Sequence, residues 1–157
     1  MSTNNYEDQI KVIADGIERT NPAPLSNAPP DVTYLAATLT TGRAIRWVTA
    51  DLSGTSHPEG KVMIFTDGKI ISIKRSDQGD LDVAVTPRRD LHSFEFSANA
   101  THHWGKRDKP FWPTDARITA TFADGSTVSL PLGDGILGTD ACAEFAAFLP
   151  DLLRDVT

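Results

Sequence analysis

The chain reads as a mainly β domain with a helix at each end: an antiparallel sheet or barrel closed by a C-terminal helix and preceded by an N-terminal helical arm. Three observations predict this. First, two hairpins stand out, with Lys61 to Thr66 and Lys69 to Ile73 flanking Asp67-Gly68, and Arg117 to Phe122 and Thr127 to Leu132 flanking Asp124-Gly125. Asp-Gly between alternating apolar segments is the composition of a tight hairpin turn. Second, Cys142, Phe145, Leu149, Leu152 and Val156 recur at helical spacing near the end of the chain. Third, about eight short apolar segments follow one another from Val32 with no helical pattern between them, which disfavours a parallel βαβ design.

Taken in order, Tyr6, Ile10, Ile13 and Ile17 fall on one face of a helix, capped by Asn4 or Asn5, with Glu7 and Asp8 favourably placed in its first turn. Gly16 weakens its second half. The run from Thr20 to Asp31 carries four prolines and cannot continue a helix, so residues 1–19 read as a helical arm and 20–31 as a linker or surface strap. Residues 32–157 read as the β domain. Its strands are expected at Val32 to Leu39, Ala44 to Ala50, Lys61 to Thr66, Lys69 to Ile73, Leu81 to Val85, Leu91 to Phe96 and the final hairpin. Polar or turn-forming segments separate them, the longest from Asn99 to Asp115. The closing helix begins at Gly138, Thr139 or Asp140, and Pro150 predicts a kink or a fresh helical turn because it removes the amide that would bond to Ala146.

The 157 residues suit one domain with a sizeable core. A net charge of −6 argues against a sequence-independent grip on nucleic acid or an anionic membrane, both of which need a basic face. Cys142 is the single cysteine, so an intramolecular disulfide is excluded and a reducing cytoplasm is the simplest home. No apolar run approaches the roughly 18 residues needed to span a bilayer, and Met1 to Asn5 lacks a charged-then-apolar signal segment, so no membrane insertion is expected. Arg in preference to Lys, with much Ala, Asp and Thr, points to a GC-rich bacterial or phage genome.

The segments M-I-F-T-D-G-K-I-I-S-I, V-T-P-R-R-D-L-H-S-F-E-F and R-I-T-A-T-F-A-D-G-S-T-V-S-L-P, followed by a closing helix, resemble bacterial pleckstrin-homology-like (PH-like) domains over about residues 32–156. Thr66-Asp67, Pro87 and Asp90 match that family's habit of ending a strand in Thr-Asp and leading into a later one through a proline and an acid. The family's barrel has seven strands where about eight are counted here. The resemblance implies a curved antiparallel barrel with the terminal helix across one open end, and a role in binding proteins or lipid headgroups rather than in catalysis.

Several motifs invite chemistry. Gly133, Gly135 and Gly138 match G-x-G-x-x-G, yet the chain ends 19 residues later, without room for the second strand and acid of a dinucleotide site. Glycine-rich turning into the helix accounts for them, and no cofactor is expected. Asp77, Asp80 and Asp82 lack the spacing of a calcium loop and suit a hairpin turn. Arg88-Arg89 beside Asp90 could hold a phosphate or carboxylate, or form a charged turn. Adjacent His102 and His103 lack H-x-x-x-H or Cys–His spacing, so no metal is expected. Cys142 lies on the apolar stripe, where a thiol is inert.

The loop from Thr101 to Pro113 is the sharpest candidate. It gathers His102, His103, Trp104, Lys106, Arg107, Lys109, Phe111 and Trp112, and tryptophan beside Arg and Lys is the composition of interaction hot spots. The same aromatics can instead fold back and cap the barrel. The expected function is a non-enzymatic module that binds a protein partner through this loop, the isoleucine face of residues 6–17, or both. The alternatives are a small hydrolase or ligand-processing enzyme with His92, His102 or His103 as base, and a subunit of a larger assembly or homo-oligomer.

Overall fold

The structure, a computed structural model, describes residues 5–23, 25, 27–54, 57–97, 111–114, 116–133 and 136–156. Among these residues seven strands form two antiparallel sheets. β1 (Ile45–Ser53), β2 (Glu59–Thr66), β3 (Lys69–Arg75) and β4 (Leu81–Pro87) pair in chain order, as do β5 (Leu91–Ser97), β6 (Arg117–Phe122) and β7 (Thr127–Leu130). A single 3-10 turn, Arg88–Asp90, links the sheets. The described residues also form three helices: α1 (Asn5–Thr20), α2 (Pro30–Leu39) and α3 (Thr139–Leu153). Both Asp-Gly turns connect hairpins as the sequence predicts, and β7 stops at Leu130 because Pro131 has no N–H to donate. The strands form two antiparallel sheets among the described residues rather than the single barrel or curved sheet expected. No helix there is long and apolar enough to cross a membrane.

The segment Val32 to Leu39, expected as the first strand, is helix α2, which accounts for seven strands in place of eight. Pro30 stands in its first turn, where a missing N–H costs nothing and the fixed φ suits a helix. Val32, Thr33, Ala36 and Ala37 then recur at helical spacing and are buried together. The apolar run hid this period, because Leu35 and Leu39 fill the positions between.

While β4 is largely exposed, strands β1–β3 of the four-stranded sheet are covered on both faces. On one, Val48, Ala50, Val62, Ile64, Ile71 and Ile73 pack under α1 and α2, with Ile13, Ile17, Val32 and Ala36 fully buried. Tyr6, assigned from the sequence to the isoleucine stripe, stays exposed. Gln9 takes part in docking instead, its Nε2 donating to the Thr40 carbonyl at 2.9 Å and the Arg43 carbonyl at 3.0 Å. α1 therefore docks on its own domain through its isoleucines. On the other face, Trp47, Met63, Phe65 and Ile70 meet β5–β7 and α3. This face changes character along the strands: the cross-strand row Asp51, Lys61, Lys74, Asp82 is charged, two rows beyond Trp47 and Phe65.

α3 runs through Pro150 to Leu153 as one helix. It buries Ala141, Cys142, Phe145, Ala146, Phe148 and Leu152, a wider stripe than expected, with Leu149 and Val156 half-buried at its margin. Burial pushes the Cys142 thiol above its ordinary pKa, and the Arg117 charge only partly opposes this. A thiol raised in the folded state favours folding below its ordinary pKa, and that contribution fades as pH climbs through the raised value. The expected result is that Cys142 reacts with a thiol reagent at neutral pH only as the protein unfolds. Rapid labelling of the native protein would show the thiol to be accessible.

Candidate functional site

A groove of about 400 Å³ runs between α1, β1 and α3. That volume is within the range of ligand and peptide sites, roughly 300–1,000 Å³. Val12, Gly16 and Arg19 form the α1 wall, Glu144, Ala147, Phe148 and Asp151 the α3 wall, and Ile45 to Val48 the floor. Gly16 sets how closely α1 approaches the sheet, since a Cβ added there would meet Val48 Cβ at 2.9 Å. The glycine that weakens the helix in isolation thus permits its docking.

Trp47 is the central residue of the floor. Its ring stacks on Phe148 at 5.2 Å and an interplanar angle of 19°, and lies 4.9 Å from Phe145 and 5.4 Å from Phe65. The indole N–H is nevertheless buried without a hydrogen-bond partner among the described residues. Nearly all buried donors are paired, and an unpaired one costs about 1–3 kcal/mol. At the rim, Arg19 Nε bonds Glu144 at 2.7 Å and ties α1 to α3. Arg46, from the β1 segment of the floor, is exposed with no ion pair among the described residues. Asp151 faces the groove and also receives Arg88 at 3.5 Å and Arg154 at 3.6 Å. The groove is bordered by apolar side chains, one exposed guanidinium and two carboxylates, Glu144 and Asp151.

No family model, no curated protein and no solved structure matches the chain. The site is accordingly read from its own geometry. A second hollow, of about 270 Å³ between β2–β4 and the β6–β7 hairpin, is lined by Lys61, Ser72, Asp90 and Asp124 among others, none of which has an unpaired buried side-chain donor among the described residues.

Of the loop residues singled out in the sequence, His102, His103, Trp104, Lys106, Arg107 and Lys109 lie outside the described residues. Phe111 is exposed. Trp112 is in the core: its ring meets Phe145 edge-on at 4.6 Å and its Nε1 donates to the Ala116 carbonyl at 3.0 Å. Its burial there, in place of the surface contact expected for it, follows from the cost of exposing an indole when an aromatic cluster is at hand. His57 and His92 are exposed and neither borders the groove.

The remaining motifs resolve structurally. Gly133 adopts φ +104° and its carbonyl accepts from Arg117 Nε at 3.0 Å, whereas Gly135 lies outside the described residues. Asp77 and Asp80 belong to a turn in which the Ser76 N–H donates to the Asp80 carbonyl at 2.9 Å, and no metal-ligating cluster exists among the described residues. Arg88 is buried in the turn Arg88–Asp90 and pairs with a carboxylate, Asp155 at 2.7 Å, the carboxylate alternative read from the sequence, whereas Arg89 is exposed.

Sequence reasoning missed the groove. Val12 sits off the isoleucine stripe, Phe148 off the α3 stripe, and Trp47 in a strand read only for its alternation. The one available signal was that Phe145 and Phe148 are three apart on the helix, which widens its apolar face.

Proposed function

We propose that this protein is a non-enzymatic interaction module on a PH-like scaffold, and that its groove between α1, β1 and α3 receives a short apolar segment of a protein partner. The reading rests on Trp47, which lines the groove and whose buried indole N–H has no partner among the described residues; a bound backbone carbonyl or carboxylate that reaches it would satisfy it. Four strands, then three, then one helix support the PH-like assignment. An acidic side chain on the segment would complement Arg46. With Trp112 in the core, the loop's share of the contact falls to His102, His103, Trp104, Lys106, Arg107, Lys109 and Phe111. A cytoplasmic setting is part of the same proposal and rests on the single cysteine.

The test is selection of peptides on the native protein, followed by calorimetric titration against Val12→Glu and Ala147→Glu. Both positions are exposed on the groove walls, so the substitutions spare the core. Binding is expected to weaken by about tenfold or more, equivalent to roughly 1.4 kcal/mol. Peptides bound equally by both variants would sink the groove reading, and loss only in Trp104→Ala would move the site to the loop.

A further inference from the structure

The two edges of the four-stranded sheet are treated differently. At β1 the backbone is occupied: the Leu52 N–H donates to Asn21 Oδ1 at 2.6 Å, and Asn21 Nδ2 returns a bond to the Leu52 carbonyl at 3.0 Å. One carboxamide thus stands in for a neighbouring strand. Leu132 N–H reaches Thr49 Oγ1 in the same strand at 2.9 Å. At β4 no described strand pairs beyond it, and Val83 and Val85 are 40% and 48% exposed. They lie in register with buried Ile73 and Ile71, so the apolar face under the helices continues past its cover.

The backbone direction at this edge follows from one bond. Arg88 N–H meets the Gly68 carbonyl at 3.0 Å on the β3 side. Because strand groups alternate between neighbours, even-numbered residues of β4 face β3, and Leu81, Val83 and Val85 point N–H and C=O outward. Pro87 is also outward, so its missing N–H leaves the β3 ladder intact. Open edges are usually blunted by charges, proline or a bulge; β4 has Asp82 and a terminal Pro87 but no lysine, and its centre Val83-Ala84-Val85 carries none of these.

We infer that β4 pairs antiparallel with β4 of a second copy of this chain, about a two-fold axis at Ala84, to make one continuous sheet across the dimer. The sequence Leu81-Asp82-Val83-Ala84-Val85-Thr86-Pro87 is close to a palindrome in chemical type. With Ala84 opposite Ala84 of the second copy, Val83 meets Val85 and exchanges both backbone hydrogen bonds with it. The valines of both chains then close the uncovered apolar face. Asp82 lies opposite Thr86, never another acid, and the two Asp82 positions stand about 14 Å apart along the strands at ~3.4 Å per residue. That exceeds the Debye length of about 8 Å at physiological salt. A pairing in any other register would break the valine match or bring the acids together. The interface is a strand's width, so the dimer is one whose population rises with protein concentration.

Light scattering across a concentration series of the full chain is expected to move from the 17.0 kDa monomer toward twice that mass. Val85→Lys should keep the native circular dichroism spectrum and remain monomeric. Ala84→Cys supplies an independent reading: directly opposed residues of a non-hydrogen-bonded pair have Cα atoms about 4.5 Å apart, within disulfide reach. Oxidation should give a covalent dimer through residue 84, while Ser129→Cys, exposed on β7, gives none. A chain that stays monomeric throughout, a dimer indifferent to Val85→Lys, or equal cross-linking at residues 84 and 129 would overturn the inference.

Discussion

Phe145→Ala is expected to destabilise the protein by about 3–5 kcal/mol, the range for deleting a fully buried phenylalanine. Phe145 has no exposed surface and sits between two indoles, 4.9 Å from Trp47 and 4.6 Å from Trp112. It is where α3, the four-stranded sheet and the segment after β5 meet, so its removal leaves a cavity that three rigid elements cannot close together. For a chain of this size each kcal/mol lowers Tm by roughly 2–4 °C, giving a fall of about 6–20 °C. Urea denaturation checks it, and a change below about 1 kcal/mol would mean that the cluster repacks. The effect reaches the groove, because Trp47 is its floor and rests on this ring.

Arg88→Ala should cost about 3 kcal/mol, the lower end of the range for breaking a buried ion pair. The guanidinium is 4% exposed, its Nε donating to Asp155 at 2.7 Å, Nη1 to the Thr66 carbonyl at 2.9 Å and Nη2 to the Asp151 carbonyl at 3.1 Å. Its charge lies 5.5 Å from the Phe148 ring centre. Both carboxylates retain some water access, so they rehydrate when the arginine is lost, which holds the cost at the low end. Arg88→Lys should recover only part of it, since an ammonium cannot fork to three acceptors fixed in a plane. Thermal unfolding of the two variants beside wild type tests this, and equal stability of all three would show the knot to be incidental. Arg88 also fixes Asp151 and Phe148 on the α3 wall, so Arg88→Ala should weaken peptide binding even where folding is complete.

What the sequence made legible was local. The two Asp-Gly turns, the alternation of β6 and the 145–149–152 stripe each carry their own period, and each appears as expected. α2 was misread because its polar positions are few: Tyr34, Leu35 and Leu39 obscure the period that Val32, Ala36 and Ala37 carry. The unbroken run Val62 to Phe65 belongs to a strand buried on both faces, a consequence of α1 docking from far along the chain. Arg88 shows the same limit from the other side. Nothing in Pro87-Arg88-Arg89-Asp90 separates a solvated arginine from a buried one, because its partners Asp151 and Asp155 are distant in sequence. The groove was illegible for that reason: its walls come from three elements that no local pattern brings together.

The most direct measurement is a nitrogen–proton NMR titration of the tryptophan indoles with a selected peptide. Trp112, bonded to Ala116, serves as the internal control for general perturbation. The account predicts that the Trp47 indole N–H moves downfield on binding as it gains an acceptor, while the Trp112 signal stays nearly fixed, and that Val12→Glu abolishes the shift. Saturable binding with the Trp47 indole unmoved would contradict the claim that the groove between α1, β1 and α3 is the binding site.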